Sequence, residues 1–242
     1  MKALILAGGK GRRLMPYTTI IPKPLMPIGD KAILEIVVQQ LKVCGFNEII
    51  LSIGYLGELM MAFFNNGNKH GVKIDYVKEN EPLGTAGPLS LVKDQVDETF
   101  LMMNGDVLTT LNYAELIKYH KQKKSALTIA LNNRNVNIDF GVTQINENRQ
   151  ITGYIEKPTL DYLVSMGVYV LEKRVLEYIE PHKYLDFPDL VKKLIENDEI
   201  VNGYVFDGYW LDIGRHDDYK KANEEVTEIY DKLFQFKKGQ IP

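Results

Sequence analysis

A glycine-rich bend carrying positive charge follows the first apolar run of this 242-residue chain. Residues 1–14 read MKALILAGGKGRRL, with Gly8, Gly9 and Gly11 falling within four positions and Arg12 and Arg13 following at once. Glycine tolerates positive φ and lets main-chain N–H groups approach a ligand closely. Where such a bend ends a parallel strand, those N–H groups sit at the ligand-binding edge of the sheet and can cradle phosphate. Lys23 adds a second cation, and the flanking Pro22 and Pro24 restrict its backbone so that the ammonium is placed at low entropic cost. Arg13 and Lys23 together suit a triphosphate tail and its pyrophosphate leaving group.

Four further sets extend this chemistry. The stretch ENEPLGTAGPL, from Glu79 to Gly87, combines a proline, two glycines and a threonine, which suits a backbone-lined slot for a flat ring. Asp106, in MMNGDVL, closes a buried apolar run at the rim where open α/β sheets place ligands. A carboxylate there is a natural Mg²⁺ ligand, because Mg²⁺ takes one or two carboxylates together with phosphate oxygens. Asp212, in GYWLDIG, closes a second such run and supplies the partner carboxylate. Glu156 and Lys157, in GYIEKP, offer a carboxylate for sugar hydroxyls and a cation for a second phosphate.

Several classes are disfavoured. The phosphate-binding pattern G-x-x-x-x-G-K-[ST] is absent. Gly9-Lys10-Gly11 begins like a dinucleotide fingerprint, but Leu14 stands where its third glycine or alanine belongs. The second strand also ends in Ser52-Ile53-Gly54, without an acid for a ribose. A net charge of −3 argues against general nucleic-acid binding. Cys44, the only cysteine, allows no internal disulfide and reads as a buried thiol. The four histidines show no ligand spacing, read as lying in polar surroundings and receive no role. No run reaches the ~18 apolar residues of a membrane helix, and the first residues lack a signal-peptide cleavage site, so a cytoplasmic protein is expected.

The elements that must position these residues alternate. KALILA, EIILSIG, VKIDYV and TFLMMNGD read as buried strands; AILEIVVQQLKVCGF, GELMMAFFNNG, LSLVKDQV and NYAELIKYHKQKK read as helices. This indicates βαβ units, an α/β fold and a largely parallel sheet. ALTIAL and SMGVYVLEK add strands, and FGVTQINENRQITGYIEKP reads as a hairpin with a polar tip at 146–149. FPDLVKKLIEN is helical, EIVNGYVFDGYWLDIG supplies two short strands, and a charged amphipathic helix runs from His216 through Phe236 before a basic tail. Val226, Ile229, Tyr230 and Leu233 on that helix can pack on their own domain or on a partner. No repeat or linker breaks the chain, so one domain, 1–242, is expected.

The ordered set AGGKGRRL, PKPLMPI, EPLGTAG, NGD, EKP and WLDIG resembles the sugar-1-phosphate nucleotidyltransferases across nearly the whole chain. The resemblance implies a Rossmann-like three-layer α/β/α fold with a mostly parallel mixed central sheet. It also implies a nucleotide-binding half (1–110) and a sugar-phosphate-binding half with the C-terminal helix (111–242). The implied reaction joins a nucleoside triphosphate to a sugar 1-phosphate with Mg²⁺ as cofactor, yielding a nucleotide sugar and pyrophosphate. By position, Leu6, Ala7, Gly8, Gly9, Gly11, Glu79, Pro82, Leu83, Gly84, Thr85 and Asn104 fall to the nucleotide. Arg13 and Lys23 fall to catalysis, Asp106 and Asp212 to the metal, and Gly141, Glu156, Lys157 and Gly167 to the sugar phosphate. Arg12 replaces the small hydroxyl residue of the usual loop, and Ser165-Met166-Gly167 stands where many members have Asn-x-Gly. The chain ends soon after the last motif, which resembles the compact mannose and heptose guanylyltransferases. Guanylyl transfer to such a sugar 1-phosphate is therefore the leading expectation. Uridylyl, thymidylyl or cytidylyl transfer is the alternative, as is a protein that binds nucleotide sugars without turnover. No nucleic acid or membrane partner is expected, and the oligomeric state stays open.

Overall fold

Six consecutive residues, Lys2–Ala7, form the first strand because a continuous apolar run with no turn residue is buried on both faces. The computed structural model describes residues 1–79 and 81–234. In chain order its first half holds β1 (Lys2–Ala7), β2 (Pro27–Ile28), β3 (Lys31–Ala32), α1 (Ile33–Val43), β4 (Glu48–Ile53), α2 (Gly57–Phe64), β5 (Lys73–Lys78), β6 (Thr99–Asn104) and β7 (Val107–Thr109). There follow α3 (Tyr113–Lys123), β8 (Leu127–Asn137), β9 (Val142–Ile145), β10 (Ile151–Ile155), β11 (Thr159–Glu172), α4 (Phe187–Glu196), β12 (Val201–Val205), β13 (Trp210–Asp212) and α5 (His216–Phe234).

The main sheet has the order β12-β8-β11-β6-β1-β4-β5. β11 runs antiparallel to both neighbours, while the β1–β4, β1–β6, β4–β5 and β8–β12 pairs are parallel. The sheet is thus mixed and mostly parallel, with helices on both faces. Alternate residues of β1 point to opposite layers: Ala3 and Ile5 join α1, α2 and α3, whereas Leu4 joins α4. A third cluster seats Val226, Ile229 and Leu233 of α5 on Ile33 and Ile36 of α1, so the tail helix packs on its own chain. Each such aliphatic side chain contributes about 1.5–3 kcal/mol on burial. Buried Gln40 ties three elements together by donating to Thr109 O and Leu233 O at 2.7 and 3.0 Å. The expected continuation of α5 through Phe236 and the basic tail lies outside the described residues.

Two local expectations are corrected. LSLVKDQV forms no α-helix; a 3-10 turn covers Gly87–Leu91, with Pro88 in its first turn and Ser90 Oγ donating back to Gly87 O at 2.7 Å. His120 lies in an apolar layer with no exposure, its ring nitrogens pairing with Thr128 Oγ1 (2.8 Å) and Glu172 Oε1 (3.1 Å). Burial pushes its imidazole below the ordinary value of 6.5, and the Glu172 carboxylate only partly opposes this. As pH falls, the unfolded chain takes up that proton first, so stability is fully present above pH 6.5 and declines below it until the folded imidazole titrates. Denaturation of His120→Gln followed from pH 8 to 5 should show a shallower decline than the parent. An unchanged slope would remove His120 as its source. No helix among the described residues is long and apolar enough to cross a membrane.

Candidate active site

Register brings three strand ends to one rim. Ala7 pairs with Ile53 and Leu6 with Asn104, so the glycine bend after β1 meets Gly54 after β4 and Gly105-Asp106 after β6. The approach is close enough to exclude side chains: a Cβ on Gly54 would lie 2.8 Å from Gly8 O, and one on Gly8 would lie 2.7 Å from Glu79 Oε1. Gly11 takes a left-handed conformation, φ 59°, and its carbonyl accepts from the fully buried Thr18 hydroxyl at 2.9 Å. Leu14 then anchors the 3-10 turn Arg12–Leu14 in the α1–α5 core, which leaves Arg12 and Arg13 facing outward. Gly54→Ala should displace the glycine bend through backbone contact, at a cost of about 1–3 kcal/mol. The expected result is a roughly tenfold rise in KM for the nucleotide with a folded protein; an unchanged KM would mean that the bend does not touch it.

These segments line a cleft of about 970 Å³. Lys10, Arg12, Arg13, Lys23 and Lys78 bring positive charge to its wall. Arg12, for which the motif offered no partner, therefore faces the same space as Arg13. Lys23 opens a 3-10 turn between its two prolines and is only 8% exposed. Its ammonium donates to Asp106 Oδ2. The Arg13 guanidinium lies over Gly214, where a Cβ would come within 3.3 Å of Nη2.

Asp106 and Asp212 are brought together by a small second sheet. β13 pairs antiparallel with β7, placing Asp212 opposite Val107, and Ile213 N donates to Asp106 O at 3.0 Å. Asp212 remains open to solvent at the rim, yet the protein mass around its base, and then the Asp106 carboxylate, raise its carboxyl pKa; Lys23 and Arg13 oppose this. Asp106 Oδ1 is buried with no hydrogen-bond partner. A free acceptor beside a second carboxylate that is raised by it is a donor set a divalent cation would satisfy. Among the described residues no cluster of three or more His, Cys, Asp or Glu side chains forms a closed metal site. Two carboxylates completed by phosphate oxygens is the arrangement that suits Mg²⁺.

The wall expected to take a flat ring is built from two segments, only one of which the sequence indicated. Glu79 accepts from Ser52 Oγ at 2.8 Å; burial raises its carboxyl pKa, while Ser52 and the Leu83 amide hold it down in part. Gly84, at φ 79°, leaves no room for a Cβ, which would lie 2.5 Å from Leu185 O. Leu185 N donates to Leu83 O, and Ala86 N and Gly87 N donate to Leu185 O. Asp186 accepts from Thr85 N and Oγ1 (both 3.3 Å) and from Tyr184 OH (2.8 Å), and Phe187 N donates to Thr85 Oγ1 at 2.8 Å. Asp186 occupies the N-cap position of α4, but its side chain makes no capping bond and turns to Thr85 instead. Tyr184, Asp186, Lys10, Tyr55, Lys78 and Glu81 line the cleft without having been anticipated.

Of the anticipated nucleotide residues, Leu6, Ala7, Gly8, Gly9, Gly11, Glu79, Pro82, Gly84, Thr85 and Asn104 line the cleft together with Arg13, Lys23 and Asp106. Leu83 lies buried behind the wall, 8% exposed. The four residues expected at the sugar phosphate are not among those lining the cleft. Gly167, at φ 73°, abuts it through Asn104, whose Nδ2 would be 2.7 Å from an added Cβ, and Trp210 Nε1 fixes the segment by donating to Met166 O at 3.0 Å. Gly141, Glu156 and Lys157 stand on the β9–β10 arm, where Tyr154 OH packs against Gly141 and donates to Glu156 at 2.9 Å.

Residues 2–229 match the sequence profile of the nucleotidyl transferase family. A probable mannose-1-phosphate guanylyltransferase 1 from Oryza sativa subsp. japonica is 36% identical over 227 residues, covering 90% of this chain and 63% of the relative. A UTP–glucose-1-phosphate uridylyltransferase from Synechocystis sp. is 32% identical over 261 residues, covering 100% of this chain and 66% of the relative. The chain thus spans less than two thirds of the length of these relatives. Among solved structures, HddC from Yersinia pseudotuberculosis superposes with a TM-score of 0.74 at 29% identity, covering 93% of this chain and 99% of that one. A putative glucose-1-phosphate thymidylyltransferase from Bacillus anthracis gives 0.75 at 25% identity, covering 100% and 98%.

Proposed function

This chain belongs to the nucleotidyl transferase family, and from that membership we propose that it transfers the nucleotidyl group of a nucleoside triphosphate to a sugar 1-phosphate, releasing pyrophosphate. The observation that carries the reading is the convergence in one cleft of the Gly8–Gly11 bend, Arg13, the Lys23–Asp106 pair and the Glu79–Thr85 segment. A phosphate oxygen of the sugar 1-phosphate attacks the α-phosphorus; the new P–O bond forms as the bond to the bridging oxygen of pyrophosphate breaks. That attacking oxygen is ionised near neutral pH, so no general base is required. The glycine amides and Arg13 hold the β- and γ-phosphates in line, and Lys23 offsets the charge that develops on the leaving group. Asp106 and Asp212 would hold Mg²⁺, which when bound supplies charge neutralisation at the phosphates.

On the base, we read guanine first. Glu79 and Glu81 line the slot, and carboxylates accept from ring N–H and amino donors presented together, which guanine offers and uracil or thymine does not. The rice relative is a guanylyltransferase by name, which supports the same choice. Gly141, Glu156, Lys157 and Gly167 are assigned to a mannose- or heptose-type 1-phosphate, and residues 1–110 and 111–242 to the nucleotide and acceptor halves of one domain. Pyrophosphate release measured for four nucleoside triphosphates against a panel of sugar 1-phosphates, with Mg²⁺, tests all of this. GTP with mannose 1-phosphate or a heptose 1-phosphate is the combination expected to dominate. Turnover only with UTP, dTTP or CTP would replace the base assignment, and binding without release anywhere would leave a nucleotide-sugar-binding protein.

A further inference from the structure

The segment from Asp212 to Tyr219, which leads from β13 into α5, ties together the loops that carry the charged groups of the cleft. Asp212 is one of the paired carboxylates, and Ile213 N donates to the main chain of the other at Asp106 O, 3.0 Å away. Gly214 lies against the Arg13 guanidinium, where a Cβ would come within 3.3 Å of Nη2. His216 Nε2 bonds Met15 O at 2.9 Å, just after Arg13 in the chain. A carbonyl only accepts, so that ring nitrogen carries the hydrogen. Tyr219 OH donates to Pro27 O at 2.7 Å, just after the Lys23 turn, and Asn223 Oδ1 accepts from Gly29 N at 3.2 Å. The Tyr17 ring packs beside both side chains, its centroid 5.8 Å from that of His216 and 6.2 Å from that of Tyr219.

Apolar burial already seats these loops, since Leu14, Met26 and Ile28 share a core cluster with Val226 and Ile229 of α5. Burial is non-directional, so it fixes where the loops sit rather than which way their carbonyls turn. Hydrogen bonds are directional and supply that orientation. Arg13 and Lys23 lie on separate 3-10 turns, Arg12–Leu14 and Lys23–Leu25, joined by a stretch in which Met15, Tyr17 and Ile20 are exposed. The middle of that stretch is held elsewhere: Thr18 Oγ1 donates to Gly11 O, and Tyr55 OH donates to Thr19 O at 3.0 Å. The main chain just after each cation is held by α5.

We propose that His216 and Tyr219 are positioning residues for the two cations, His216 fixing the Arg13 turn and Tyr219 the Lys23 turn. On the reading that Arg13 holds the ground-state triphosphate and Lys23 meets the leaving group, on which this rests, the two braces act on different constants. Loosening Met15 O lets the Arg13 guanidinium drift from its place over Gly214, which weakens triphosphate binding. Loosening Pro27 O shifts the Lys23 ammonium relative to the bond that breaks, which slows the chemical step. A misplacement of about 1 Å at such a point costs up to ~10²-fold, so losing one exposed brace is expected to cost roughly 5–10-fold.

Steady-state kinetics of the full chain test the proposal, using GTP, mannose 1-phosphate and Mg²⁺, or the pair the parent turns over fastest. Calorimetric titration of the same triphosphate without sugar gives Kd. His216→Phe keeps a ring beside Tyr17 and removes the donor; it should raise KM and Kd for the triphosphate about 5–10-fold, with kcat within about twofold. His216→Gln restores a donor and should recover most of the parental affinity. Tyr219→Phe keeps its ring and should lower kcat about 5–10-fold, with KM and Kd within about twofold. Thermal unfolding should move by about 2–4 °C at most, since each Phe variant loses one exposed hydrogen bond. Parental constants in both Phe variants would overturn the proposal. So would equal losses of kcat and affinity in both, which mark a general loosening of the fold. A parent that turns over no triphosphate and sugar 1-phosphate pair removes the underlying reading, and the two braces with it.

Discussion

Replacing Lys23 with methionine should lower turnover on the order of 10²–10³-fold, equivalent to about 3–4 kcal/mol of transition-state stabilisation. Methionine keeps the stem that packs beside Gly11, where a glycine Cβ would lie 3.2 Å from Lys23 Cβ, and removes only the charge. Lys23→Ala should lose as much turnover and somewhat more stability. The effect is expected in kcat rather than KM, because in the proposed reaction Lys23 would meet the developing pyrophosphate charge, whereas the glycine amides and Arg13 would already hold the ground-state triphosphate. Some loss of stability accompanies either change, since Asp106 is left without its cation in a site only partly open to water. Circular dichroism and thermal unfolding separate the two effects. Near-parental kcat in a folded Lys23→Met protein would remove Lys23 from the chemistry.

The second large effect belongs to Asp106. Asp106→Asn preserves size but removes the carboxylate, so Lys23 loses its ion-pair partner and Asp212 loses the neighbour that raises its pKa. Turnover should fall about 10²-fold or more. The Mg²⁺ concentration for half-maximal rate should rise as well, because the remaining carboxylate binds a hard cation less tightly. Asp212→Asn should move the metal requirement in the same direction. A rate that fell with no change in Mg²⁺ requirement would assign Asp106 to positioning Lys23 alone. Parental turnover would sink the assignment.

Much of the cleft wall was legible because it is local. A strand followed by glycines and cations, a lysine between prolines and an aspartate ending an apolar run are each read within a dozen residues, and parallel register carries them to one rim. Arg12 was not placed by its motif, since what decides its direction is the distant burial of Leu14 among α1 and α5. Asp186 was missed because its partner in space, Thr85, is about a hundred residues away, and Tyr184 because it reaches the cleft wall beside that aspartate. His120 misled because its sequence neighbours on α3 are charged, while the face it occupies is set by the helical period. The hairpin was legible as such, but its projection was not. Where a ribbon leaves its sheet depends on the lengths of β6 and β12, which flank β11 and β8.

The central claim is transfer of a nucleotidyl group with pyrophosphate as leaving group. Nucleoside triphosphate labelled at the α-phosphorus, incubated with sugar 1-phosphate and Mg²⁺, tests it most directly when labelled product and pyrophosphate are counted together. The account requires the α-label to move into a phosphatase-resistant nucleotide sugar, with one pyrophosphate released for each label transferred. Label that stays in the triphosphate despite binding, or leaves with release of orthophosphate, would contradict it.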